Sequence, residues 1–217
     1  MNAPREERLI RRRSLAEDAL NIPNLLTMAR IVVIPVFLYF LNRDTPRDGV
    51  IAALVFSAAA ITDLLDGYLA RKMGVVSVLG KLLDPLADKL IVMASIVWCV
   101  AMGRIPAWVV VVLLGRDICV TGLRSVAASE GVVISAGQEG KVKTALQMIG
   151  IIAIVVGYSY HLHYFSLDLG VVDVVLVGRL LIYASLVFSF ASAAQYLGLF
   201  AAAVDAKNRK ASEAESR

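Results

Sequence analysis

The chain has 217 residues, of which 59% are hydrophobic and 18% charged, and its mean hydropathy is +0.73; these figures exclude a water-soluble globule and a disordered chain and read as a membrane protein. Its two cysteines, Cys99 and Cys119, both lie inside apolar stretches, which excludes a secreted disulfide scaffold. The formal charge of +4 comes with only 7% aromatics and no single long basic patch, so no nucleic-acid partner is expected.

Residues 1–21 carry Arg5, Arg8, Arg11, Arg12 and Arg13 and read as a cytoplasmic N-terminal segment. Within it, 8–20 reads as a short juxtamembrane amphipathic helix with its basic residues at anionic headgroups. It is not a signal peptide: the apolar run that follows is too long, contains Arg30 and ends without a small-residue cleavage site. A membrane helix needs about 20 apolar residues, and six runs of that order follow, at 23–41, 50–70, 82–102, 106–127, 142–160 and 171–204. The expected fold is therefore all-α, a polytopic membrane protein with six transmembrane helices, its membrane domain spanning 22–204. The connections are too short for a second domain, and 205–217 reads as a disordered cytoplasmic tail. Lys and Arg concentrate in the N-terminal segment, in Arg71, Lys72, Lys81 and Lys141, and in the tail; the alternate loops hold only Arg43, Arg47 and Arg104. This bias orients the protein in the cytoplasmic membrane, multi-pass, with both termini cytoplasmic.

Asp63, Asp66, Asp84, Asp88 and Asp117 all fall inside expected spans, where each carboxylate costs at least ~2.5 kcal/mol at the centre of a helix in lipid. Asp63 and Asp66 are three apart near the cytoplasmic end of the second span, and Asp84 and Asp88 four apart near the start of the third. Both spacings place a pair on one helix face, and antiparallel neighbours joined by a short loop bring the two faces together. Four clustered carboxylates repel one another unless protons or cations intervene, and an all-oxygen set suits Mg²⁺, Mn²⁺ or Ca²⁺. The estimated depth, about 9–12 Å in from the helix ends, is within reach of lipid phosphates rather than at the midplane. Gly67 and Gly80 keep side chains away from the acids, and Arg71, on the same face as Asp63, can bind a phosphate bidentately.

The stretch Asp63-Leu-Leu-Asp66-Gly67-Tyr-Leu-Ala70-Arg71, eight residues, Gly80, three residues, Asp84, three residues, Asp88 resembles the signature of the CDP-alcohol phosphotransferase family at every defining position. The opening Asn21-Ile-Pro-Asn-Leu-Leu-Thr27 with Arg30 is also similar to that family. The resemblance implies a six-helix membrane enzyme, commonly a homodimer, that moves a phosphatidyl group from CDP-diacylglycerol to an alcohol and releases CMP. It implies two divalent metal ions, Mg²⁺ or Mn²⁺, on Asp63, Asp66, Asp84 and Asp88, with Asp88 as general base. It further implies that Leu26, Thr27, Met28, Ala29, Gly67, Arg71 and Ser77 hold the CDP-lipid.

The remaining basic residues in or near spans, Arg30, Arg116, Arg124, Lys141 and Lys143, exceed what neutralising Asp117 requires, which suits an acceptor carrying its own phosphate. The ordinary alternative is that Arg116 only pairs with Asp117 and that the lysines are positive-inside anchors. The runs Gly115-Arg116-Asp117, Gly122-Leu123-Arg124 and Gly140-Lys141-Val-Lys143-Thr144 with Gln147 resemble the branch whose acceptor is glycerol 3-phosphate. Inositol phosphate or a second phosphatidylglycerol is the alternative acceptor within the same chemistry, and an ion-coupled transporter is the alternative from another class. His161 and His163 read as interfacial residues on the far side; Arg179 has no partner evident in sequence beyond Asp173 or a dimer mate. The small residues of the last span suit close helix packing.

Overall fold

The computed structural model describes residues 22–73, 78–129, 138–164 and 167–215. They form α1 (Ile22–Asn42), α2 (Pro46–Met73), α3 (Val78–Ala101), α4 (Ala107–Ser129), α5 (Gln138–Val156), β1 (Ser159–Tyr164), β2 (Leu167–Asp173) and α6 (Val174–Glu215). The fold is a bundle of six helices with one antiparallel hairpin. The expected juxtamembrane helix at 8–20 lies outside the described residues.

Helix starts follow from capping. Thr45 precedes Pro46, its hydroxyl accepts from the Asp48 backbone N–H at 3.1 Å, and it donates to the Asp48 carboxylate at 2.6 Å. Asp173 caps α6 in the same way, accepting from the Leu176 N–H at 3.0 Å. The connection expected at 161–170 is more ordered than a plain loop: Ser159 pairs with Asp173 and Tyr164 with Leu167, with a bulge between His161 and His163. Alternating aromatic and β-branched residues favour that ladder. At the other end α6 continues through Glu215 where a disordered tail was expected, in keeping with the helix propensity of its Ala-, Lys- and Glu-rich sequence.

The core is Phe37 and Leu41 of α1, Ala52 and Phe56 of α2, Ile96 and Cys99 of α3, Val109 and Leu113 of α4, Ile151 and Ile154 of α5, and Ile182 and Leu186 of α6. These fall late in α1, α3 and α5 but early in α2, α4 and α6, so successive helices run in opposite directions and one half of the bundle is filled with apolar side chains. Phe37 and Phe56 meet with ring centroids 5.9 Å apart. Helices α5 and α6 approach most closely at Gly150 and Gly178, where a Cβ on Gly178 would stand 2.8 Å from the Gly150 carbonyl oxygen.

The rim of the filled half is closed by two arginines. Arg104, nearly buried, donates to the carbonyls of Ile154 and Val155 at 2.8 and 3.0 Å, pairs with Asp44 at 2.7 Å, and lies 5.4 Å from the centroid of the Tyr158 ring. Tyr158 in turn donates to Asp44, and α5 ends because Gly157 and Tyr158 both take positive φ. Arg179, without an assigned partner in sequence, donates to the carbonyls of Arg104 and Gly103 at 2.5 and 3.0 Å. Orphan carbonyls at the end of α5, and carbonyls of the connection between α3 and α4, are thus satisfied by guanidinium groups from elsewhere in the chain.

Among the described residues, two helices are long and apolar enough to cross a membrane, through Asn24–Asn42 and Val174–Ala202. The other four carry the charged residues that lower their mean hydropathy. All six nevertheless present large apolar side chains outward, among them Val32, Leu54, Val97, Ile118, Ile149 and Val187. An outer surface of that kind needs an apolar medium around it.

The Arg104 latch predicts the effect of two substitutions. Arg104→Ala strands two buried carbonyls, and Gly157→Ala puts a Cβ about 2.5 Å from the Arg104 guanidinium at a φ of +65°. Each should destabilise the protein by about 2–3 kcal/mol, read as a lower Tm in detergent; unchanged melting in both would mean that the latch contributes nothing.

Candidate active site

The half of the bundle opposite the filled core holds a cavity of about 690 Å³. Asp63 comes to its wall from α2, Asp88 from α3, Arg116 and Arg124 from α4, Lys141 and Lys143 from α5, and Ser192 and Tyr196 from α6. Four cations therefore share one space with two carboxylates. Asp63 and Asp88 are separated by 25 positions in sequence, and the antiparallel run of α2 and α3 is what makes them neighbours of one cavity.

Each charge that is buried has a named partner. The Arg30 guanidinium, fully withdrawn from the surface, pairs with Asp63 at 2.7 Å. Asp117 receives Lys143 on both oxygens, at 2.6 and 2.9 Å, and Arg116 on one, at 3.0 Å. Arg116 also donates through Nε to the Ser189 carbonyl at 3.0 Å. Arg124 donates to the Tyr196 hydroxyl at 2.9 Å and lies 5.2 Å from that ring's centroid. Lys141 is exposed to the cavity and, among the described residues, makes no hydrogen bond or ion pair. A second, smaller cavity of about 180 Å³ adjoins the first through Asp88 and Lys143 and includes Lys89, which donates to Thr121 at 3.1 Å.

This geometry sorts the residues singled out by sequence. Asp63, Asp88, Arg116, Arg124, Lys141 and Lys143 come together on one cavity. Arg30 meets Asp63 rather than the cavity wall. Asp66, Gly67, Arg71 and Asp84 have helical backbones, but their side chains, like Ser77 as a whole, lie outside the described residues. Of the α1 segment, Thr27 is buried, Leu26 partly so, and Met28 and Ala29 are exposed; none of the four lines the cavity. Among the described residues no three His, Cys, Asp or Glu side chains gather as a metal cluster. The two carboxylates that are described supply oxygen donors only, which fits a hard divalent cation.

Arg116 does pair with Asp117, as the ordinary reading of that dipeptide had it, yet it also lines the cavity. Lys143 is no surface anchor: it is buried, and its ammonium is spent on Asp117. Sequence reasoning missed Tyr196 and the inward face of α6. The signal was present, since Ser185, Ser189, Ser192 and Tyr196 recur at spacings of four, three and four, all buried. Read only as small residues, the serines suggested packing and hid a polar stripe.

The profile of the CDP-alcohol phosphatidyltransferase family matches residues 20–191, and the chain belongs to that family. Among its relatives, the CDP-diacylglycerol–glycerol-3-phosphate 3-phosphatidyltransferase of Bacillus subtilis (strain 168) is 40% identical over 146 residues, 62% of this chain and 76% of that one. The enzyme of the same name from Rickettsia bellii (strain RML369-C) is 39% identical over 137 residues, 63% of this chain and 76% of the other. A probable phosphatidylglycerophosphate synthase of Mycobacterium tuberculosis (strain ATCC 25618 / H37Rv) is 38% identical over 146 residues, 66% of this chain and 69% of its own.

The shared carboxylate predicts a stability effect. Asp117→Asn leaves buried Lys143 without its counter-charge and should cost about 1–3 kcal/mol, less than a fully enclosed pair because the carboxylate is one-third exposed. Combining Asp117→Leu with Lys143→Met should cost less than the sum of the two single changes, measured as Tm in a double-mutant cycle.

Proposed function

We propose that the protein transfers a phosphatidyl group from CDP-diacylglycerol to glycerol 3-phosphate, giving phosphatidylglycerol phosphate and CMP. The observation that carries this reading is the single cavity in which Asp63 and Asp88 stand with Arg116, Arg124, Lys141 and Lys143. Carboxylates at one wall and an excess of cations at the others suit a reaction whose donor is a pyrophosphate and whose acceptor carries a phosphate. The names of the relatives favour glycerol 3-phosphate over inositol phosphate or phosphatidylglycerol.

In this reading Asp88 takes the proton from the acceptor hydroxyl. The oxygen then attacks the phosphorus that bears the diacylglycerol, the bond to CMP breaks, and CMP departs with the electron pair. Asp63, Asp66, Asp84 and Asp88 would hold two divalent ions, Mg²⁺ or Mn²⁺, which when bound supply charge neutralisation at the pyrophosphate. Leu26, Thr27, Met28, Ala29, Gly67, Arg71 and Ser77 would hold the CDP-lipid.

The cations divide by their commitments. Lys143 and Arg116 share the one Asp117 carboxylate and set the shape of the wall, whereas Arg124 and Lys141 pair with no carboxylate among the described residues and keep their charge for the acceptor phosphate. Outward apolar side chains on all six helices support six membrane crossings in the cytoplasmic membrane. The loop charge bias supports cytoplasmic termini, with the cavity at the cytoplasmic end. The family resemblance supports a homodimer of six-helix domains spanning 22–204.

The test is CMP release by purified protein with CDP-diacylglycerol and Mg²⁺, with glycerol 3-phosphate, inositol phosphate and phosphatidylglycerol offered in parallel. Release is expected with glycerol 3-phosphate and to be lost with a chelator; dependence on another alcohol overturns the acceptor, and ion flux without nucleotide-lipid points to a transporter. Asp88→Asn should cut turnover about 10²–10⁴-fold while CDP-diacylglycerol still binds. Arg124→Gln and Lys141→Gln should each raise KM for glycerol 3-phosphate about tenfold, the worth of one charge-assisted hydrogen bond, with KM for CDP-diacylglycerol unchanged.

A further inference from the structure

Tyr196 belongs to neither the acidic motif nor the basic runs, and it lies in α6 beyond residue 191, where the family profile ends. It is nearly buried, lines the cavity, and is the group that holds Arg124: its hydroxyl accepts the Arg124 Nη2–H at 2.9 Å, while the guanidinium carbon lies 5.2 Å from its ring centroid. A guanidinium on an exposed arginine has several rotatable bonds, and fixing it both over a ring and on a hydroxyl removes most of that freedom. Two turns earlier in α6, the Ser189 carbonyl fixes Arg116 at 3.0 Å. The two arginines are eight residues apart in α4 and their holders seven apart in α6, the correspondence expected of two helices that run side by side in the same direction.

We propose that Tyr196 is a positioning residue for the acceptor, setting the Arg124 guanidinium at the angle from which it binds the acceptor phosphate. The proposal rests on the glycerol 3-phosphate reading of the cavity. Tyr196 does not touch the transferred group. Its contribution is orientation, so its removal acts on acceptor binding rather than on bond making.

The experiment is steady-state CMP release by the full chain in detergent micelles, with glycerol 3-phosphate and CDP-diacylglycerol varied separately. Tyr196→Phe keeps the ring and removes the hydroxyl. It should raise KM for glycerol 3-phosphate about fivefold, with kcat within twofold of wild type and KM for CDP-diacylglycerol unchanged. In an Arg124→Gln background the same change should alter KM by less than twofold, because the group that Tyr196 positions is gone. A merely structural tyrosine would lower kcat or affect both substrates, and its effect would persist in that background; either result overturns the proposal. Should Tyr196→Phe fail to fold, Arg124→Lys keeps the charge and loses the fork, and it must give the same split between the two substrates. Wild-type protein that releases CMP with glycerol 3-phosphate, combined with an unchanged KM in Tyr196→Phe, defeats the positioning role alone. Wild-type protein that ignores glycerol 3-phosphate defeats both readings.

Discussion

Charge compensation across helices is the constraint on which the rest of this structure depends. A carboxylate or ammonium withdrawn from water is tolerated only with an opposite charge or good hydrogen bonds beside it. The bundle meets this by drawing partners from different helices: Arg30 of α1 reaches Asp63 of α2, and Lys143 of α5 reaches Asp117 of α4. Each such pair is also a tie between successive helices, so the interactions that make the charges tolerable also bear on the relative register of the helices. Apolar packing alone is less directional, because a leucine satisfied by one neighbour is nearly as well satisfied a few ångströms along.

The same constraint explains why polar chemistry gathers in one half. The filled half, around Phe37, Phe56 and Ile154, is packed with apolar side chains, and its rim is closed by Arg104 on carbonyls at the end of α5 and by Arg179 on carbonyls of the α3–α4 connection. With one half packed and latched, the other can hold open a cavity of about 690 Å³ without losing the bundle. A through-path for an ion would require the packed half to open. A cavity confined to one half of the bundle has no such need, which suits the proposed phosphatidyl transfer.

Much of this was legible in sequence because the cost of a charge in an apolar run is local information. Asp63 and Asp88 stood out as expensive, and so did Arg116, Arg124, Lys141 and Lys143, and all six share the cavity. The antiparallel succession of α1 to α6 followed from the apolar runs and their short connections. Pairings were not legible, because they depend on which helix faces which: nothing in the run of residues around Lys143 says that its partner is Asp117, 26 positions earlier. The hairpin at 159–173 was missed because its alternation is short and adjoins a long apolar run. The Arg179 contacts escaped for a different reason, since their acceptors are backbone carbonyls, which every residue carries and no sequence pattern marks.

The role of α6 follows from these distinctions. The acidic motif occupies α2 and α3, whereas the basic residues of the cavity, which the proposed function gives to the acceptor, come from α4 and α5 and are backed by α6. Arg116 and Arg124 both reach the cavity from α4, and each is also held by α6: Arg116, already on Asp117, by the Ser189 carbonyl, and Arg124 by Tyr196. Ser189 and Tyr196 stand two turns apart on α6, so the spacing of the two holders is set by the rise of a helix. In the proposed reading, the grip on a phosphorylated acceptor would thus depend on a helix whose described contribution at the cavity and its arginines is uncharged: Ser192, the Ser189 carbonyl, and the hydroxyl and ring of Tyr196.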